Sequence, residues 1–257
     1  MSDTIDAAAQ TAIRLSRTHN PAVPAAPAAE VTARDLVRLA QGFYFIFWGL
    51  LVAVLTSSQL LMSIGVHVFT ESFLGAAVVA VLVGSWRLFQ VRSLGEIWRR
   101  RARVVLALAV LLDYFCIFFG LWRRLPENTY LLGNALAFAA TAILYLIASN
   151  HAMAALATAF GRPDMDVESR LLGGSNIALL LLPYISLVIY LVFATAIRHG
   201  NAFIELQSLL DRINPLVILV LLLPFSLTLS LAWGCKDAVL RQLVTFHPNA
   251  ASESEPK

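Results

Sequence analysis

The stretch VVLALAVLLDYFCIFFGLW, Val104 to Trp122, decides the class of fold. A helix needs about 20 apolar residues to cross a hydrocarbon core of about 30 Å. This run has nearly that length and holds one charged side chain, Asp113. A segment in lipid finds no water for its backbone, so it must satisfy its own N–H and C=O groups, as a helix does.

Working outward, five more stretches have the same character: Phe43 to Met62, Phe73 to Val91, Tyr130 to Ser149, Ile177 to Ile197 and Pro215 to Cys235. The expectation is an all-α polytopic membrane protein, a bundle of about six transmembrane helices. Composition agrees, because 59% of the 257 residues are hydrophobic and 14% charged, with mean hydropathy +0.74. A soluble domain carries about 25% charge. The second stretch is the weakest, since Arg87 stands near its end, where a long side chain can snorkel to the headgroups.

Lys and Arg fall unevenly between the two sides that six spans define. Arg14, Arg17, Arg34 and Arg38 precede the first span; Arg87, Arg92, Arg99, Arg100, Arg101 and Arg103 surround the second connection. Arg162, Arg170, Lys236, Arg241 and Lys257 share that side, against Arg123, Arg124, Arg198 and Arg212 on the other. Fifteen of the nineteen basic residues therefore lie on one side, which by the positive-inside rule is cytoplasmic and holds both termini. The pI near 9.1 is read as topology, and no nucleic-acid partner is expected. Trp86, Trp98 and Trp233 fall at the inner ends of spans, Trp122 and Tyr130 at the outer ends, where aromatic belts form. Arg supplies seventeen of the nineteen basic residues and Ala is abundant; this composition suggests a bacterial-type cell inner membrane.

Residues 1–38 carry an Ala/Pro stretch around Pro21, Pro24 and Pro27 and no apolar core of a signal peptide. They read as a flexible cytoplasmic tail, followed by a six-helix domain over 39–237 and a short cytoplasmic tail over 238–257. Two connections look amphipathic. Between Arg92 and Arg103, Leu94, Ile97 and Trp98 form an i, i+3, i+4 stripe beside Arg92, Arg99, Arg100 and Arg103. That pattern predicts a short interfacial helix whose arginines contact anionic lipid headgroups; alternatively, they serve only to set topology. Phe203, Leu206, Leu210 and Ile213 recur at helical spacing beside Glu205, Asp211 and Arg212, predicting a second short helix at the outer interface or on the bundle's end.

Asp113 is the candidate intramembrane polar site, because an ionised carboxylate at mid-span costs about 2.5–3.5 kcal/mol on insertion scales. It would serve either as a proton or cation site or as a hydrogen-bonding residue tying helices together through Asn134, Tyr145 or Ser226. Cys116 and Gly120 share its face, a small and polar stripe expected to turn toward the bundle. Gly49, Ala53 and Ser57, and likewise Ser226, Ser230 and Gly234, recur at spacing four, as close helix packing requires. Pro183 and Pro224 interrupt the fifth and sixth spans and invite kinks.

Enzyme chemistry finds little to work with. Gly173-Gly174-Ser175-Asn176 offers a serine, but no histidine lies within a span to act as its base. The carboxylates Asp164, Asp166 and Glu168 lack the glycine and terminal Glu of a calcium loop, and no His pair has zinc-ligand spacing. Cys116 and Cys235 lie inside apolar segments and read as packing residues. No catalytic residue, metal or cofactor is expected. The two halves also match poorly as inverted repeats: Asp113 has no acidic counterpart in the sixth span. The expectation is a non-enzymatic membrane component (a subunit, assembly factor or scaffold) whose partners are the lipid bilayer and other membrane proteins. The alternative is a proton- or cation-coupled transporter or channel subunit using Asp113.

Overall fold

A computed structural model describes residues 31–61, 67–125, 127–160, 174, 177–198, 202–212 and 215–252. All regular structure among them is helical. The helices are α1 (Ala33–Leu61), α2 (His67–Phe89), α3 (Gly95–Arg124), α4 (Thr129–Ala159), α5 (Leu182–Arg198), α6 (Ala202–Arg212) and α7 (Pro215–Ser252), with a π turn, Ile177–Leu181, leading into α5. Five are long and apolar enough to cross a membrane, over Ala33–Thr56, Ser72–Phe89, Gly95–Arg124, Thr129–Ala159 and Ile177–Ala196. The stretch expected as a sixth span begins the 38-residue helix α7.

The helices outrun the apolar stretches, and capping and composition explain where they stop. The Asp35 N–H donates to Thr32 Oγ1 at 3.3 Å, so α1 starts at Ala33 and takes Arg34 and Arg38 out of the expected tail. Likewise α7 runs through Ser252, so most of the expected carboxy-terminal tail is helical. The N–H groups of Tyr130 and Leu131 donate to Asn128 Oδ1 at 3.0 and 3.3 Å and fix the start of α4. Gly95 stands at φ +86°, a left-handed conformation that glycine adopts without penalty, and so turns the chain into α3. From Glu96 onward no Gly or Pro interrupts the sequence until Gly120. The expected interfacial helix over 92–103 is thus not separate: residues 95–103 are the first turns of the 30-residue α3.

The main core is shared by α1, α2, α3, α4 and α7, joined by Leu180 of the π turn. Along α3 the buried seam is Trp98, Ala102, Val105, Ala109 and Leu112, alternating steps of four and three as in coiled-coil packing. Trp98 is therefore a core residue, 2% exposed, while Ile97 beside it is 70% exposed. The Leu94–Ile97–Trp98 stripe is split between bundle and exterior, because a helix continuing into the bundle presents the side of Trp98 to the core.

Close approach of α1 to α2 rests on glycine. A Cβ on Gly49 would stand 2.7 Å from Val81 Cγ2 and 2.8 Å from the Ala77 carbonyl; one on Gly84 would stand 2.7 Å from the Gly42 carbonyl. Gly42 pairs with Gly84 and Gly49 with Ala77, two contacts seven residues apart on both helices of the antiparallel pair. The Ser226–Ser230–Gly234 stripe does not pack this way, because Ser226 and Ser230 are exposed. The buried side of α7 instead carries Pro224, Thr228, Ala232, Cys235 and Val239.

Helices α5 and α6 sit to one side, in a smaller cluster of Leu132, Leu191 and Leu206. Leu206 packing there places α6 against α4 and α5; Ile213, the last member of its expected stripe, lies outside the described residues. The π turn ends two residues before Pro183, which has no N–H to offer the carbonyl of Leu179 and whose ring would crowd it. A widened turn removes that clash.

Candidate functional site

Polar side chains inside the spans are the places where chemistry or recognition could reside. Asp113 lies on α3 between buried Leu112 and exposed Tyr114, half-buried at the edge of the seam. The partners expected for it are engaged elsewhere. Asn134 Nδ2 donates to the Tyr130 carbonyl at 2.8 Å, Tyr145 pairs with Ser85, and Ser226 Oγ donates to the Leu223 carbonyl at 2.8 Å. Among the described residues Asp113 makes no hydrogen bond or ion pair. Cys116 packs against the core at its rim, but Gly120 has no neighbour within 4 Å of where a Cβ would stand, so it supports no close helix contact.

Two buried polar pairs that the apolar pattern conceals cross between helices. Ser85 Oγ and Tyr145 Oη lie 3.1 Å apart, linking α2 to α4, and Ser85 Oγ also donates to the Val81 carbonyl at 2.8 Å. Ser85 is 0% and Tyr145 1% exposed. Asn150 Nδ2 donates to Thr228 Oγ1 at 3.3 Å, linking α4 to α7, while the Thr228 hydroxyl donates to the Pro224 carbonyl at 2.8 Å. Asn150 is wholly buried and its Oδ1 has no hydrogen-bond partner among the described residues. A Ser or Asn in an apolar run reads as a tolerated small or capping residue; only the register of the bundle brings these residues opposite their partners. Tyr184 Oη donates to the Leu136 carbonyl at 2.9 Å and Tyr190 Oη to Glu205 Oε2 at 2.7 Å, tying α5 to α4 and to α6.

The expected headgroup arginines are all outward. Arg92, Arg99, Arg100 and Arg103 are exposed, whereas Arg101 reaches across to donate to the His151 carbonyl of α4 at 2.6 Å. On α7, Lys236 Nζ stands 3.1 Å above the Trp233 ring, which in turn packs against Phe47 of α1 at 4.9 Å between centroids.

Among the described residues no three His, Cys, Asp or Glu side chains come together as a metal site. The Ser175 and Asp164–Glu168 segments lie outside the described residues, and neither Cys116 nor Cys235 forms a disulfide. No protein-family model, no curated protein and no solved structure matches the chain.

Proposed function

We propose that this chain is a six-span, multi-pass protein of a bacterial-type inner membrane with both termini cytoplasmic. We propose that it acts as a non-enzymatic component, a subunit, assembly factor or scaffold, whose partners are lipid and other membrane proteins. The observation that carries this reading is how its polar groups are spent. Ser85, Tyr145, Asn150, Thr228 and Tyr184 bond to one another or to backbone within the bundle. The outward faces of α3 and α5 are left to large apolar side chains, including Ile117 and Ile189 at 64% exposure each. A surface of that kind suits acyl chains and the faces of other membrane helices. The fifteen-to-four distribution of basic residues supports the orientation.

One observation favours a second reading, a proton- or cation-coupled carrier: Asp113 is half-buried at mid-span and unpartnered among the described residues. The two are separated by reconstituting the full chain and its Asp113→Asn variant in vesicles with an internal pH dye. Under the component reading, both are equally stable and neither passes protons or sodium above empty vesicles. Flux by the native chain that Asp113→Asn abolishes would replace that reading with the carrier.

A further inference from the structure

Positions 99, 100 and 103 share one face of α3, one helical turn apart. Their three arginines are exposed, and Arg101, which could have joined them, is turned inward to the His151 carbonyl. Among the described residues, Glu96 stands 3.9 Å from Arg99, and Arg100 and Arg103 have no carboxylate partner. Cations in the opening turns of a helix also stand at the positive end of its macrodipole, an arrangement that external anions relieve. Arg92, exposed in the turn ahead of the helix, adds to the same positive potential.

The face does not end with the charges. One residue past Arg103 it becomes apolar: Val104 is 48% exposed, Val110 52% and Leu111 45%. A soluble phosphate would use only the cationic turns. An amphiphile with an anionic head and hydrocarbon chains matches both halves in the order in which the helix presents them, and guanidinium forks fit phosphate oxygens in pairs.

We propose that this face of α3 seats an anionic phospholipid, with Arg99, Arg100 and Arg103 holding the phosphate headgroup and the stripe from Val104 receiving an acyl chain. The proposal rests on the reading that the chain spans a bilayer. It differs from general surface attraction in naming a face on which the lipid stays bound after extraction.

The test uses the full chain purified in a neutral maltoside detergent and examined by native mass spectrometry with added phosphatidylglycerol or phosphatidylcholine. Phosphatidylglycerol adducts are expected on the native chain. They should fall about a hundredfold in the Arg99→Gln/Arg100→Gln/Arg103→Gln triple variant, as expected when three basic residues worth about 1 kcal/mol each are lost. A triple Lys variant keeps the charge but not the paired guanidinium fork, so its phosphatidylglycerol adduct should fall between those of the native chain and the Gln variant; phosphatidylcholine adducts should be equal in all three. Undiminished phosphatidylglycerol binding by the Gln variant overturns the proposal. So does full competition by soluble glycerol 3-phosphate, which would mean that the acyl chain contributes nothing, and so does a parallel loss of phosphatidylcholine, which would mark a general change in the protein. Protease accessibility of a carboxy-terminal tag in intact spheroplasts is measured separately. A tag cleaved from outside sinks the proposed orientation without touching the lipid result.

Discussion

Gly84 on α2 lies so close to Gly42 on α1 that a Cβ placed on Gly84 would be 2.7 Å from the Gly42 carbonyl oxygen. The obstacle is backbone, which cannot rotate aside as a side chain can. Gly84→Ala should therefore push α1 and α2 apart and cost about 1–3 kcal/mol, the usual range for overpacking. Thermal unfolding in detergent should show the loss. Gly75→Ala and Gly133→Ala, at helical glycines with nothing within 4 Å, should be neutral or slightly stabilising; equal losses at all three positions would refute the close-packing account.

The Ser85–Tyr145 pair should be worth little more than an ordinary interhelical hydrogen bond. In a membrane protein such pairs average about 0.6 kcal/mol by double-mutant cycle. Tyr145→Phe, Ser85→Ala and the double variant, unfolded in a denaturing detergent series, should give a coupling near that value. A coupling near zero would mean that the two hydroxyls do not share a proton.

Asn150 and Thr228 should respond asymmetrically. Thr228→Val removes the group that accepts from the buried Asn150 amide, leaving it stranded, and should cost about 1–3 kcal/mol. Asn150→Leu removes a side chain whose Oδ1 is already unpartnered among the described residues, so it should cost less. Joining the two changes should recover most of the Thr228→Val loss. The decisive comparison is the order of the three melting temperatures; Asn150→Leu falling below Thr228→Val would sink the argument.

Arg101 is bound to α4 and its neighbours on α3 face outward, so the arginines should not be interchangeable. Arg101→Gln breaks a charge-assisted bond of 2.6 Å and should cost about 1 kcal/mol at this half-exposed position. Arg100→Gln should leave stability within about 0.5 kcal/mol, as exposed substitutions usually do. Equal destabilisation by the two would show that the contact with His151 contributes nothing particular.

How much could be read without the structure varies by element. The apolar stretches located five membrane-length helices, because hydrophobic length is a local property that each segment carries alone. Helix ends are less legible: the Arg92–Arg103 segment reads as a separate surface helix by its Leu94–Ile97–Trp98 stripe and its arginines, yet nothing in the backbone chemistry after Gly95 stops a helix before Val104. Spacing by four marked Gly49 but missed Gly42 and Gly84, whose signal is a seven-residue spacing matched between two helices. The same rule pointed to Ser226 and Ser230, which face outward, since spacing says that residues share a face and not which face meets a neighbour.

The sequence by itself determined that this protein is helical and apolar enough to live in lipid, and it put one carboxylate, Asp113, in mid-span. These follow from the energy of burying charge and backbone in hydrocarbon, which each segment meets on its own. Only the tertiary structure decided that Trp98 lies inside and Ile97 outside, that Tyr145 answers Ser85 and Asn150 meets Thr228, and that Asp113 has none of its expected partners. Those outcomes depend on the rotation and register of one helix against another, which are set by packing summed over the whole bundle.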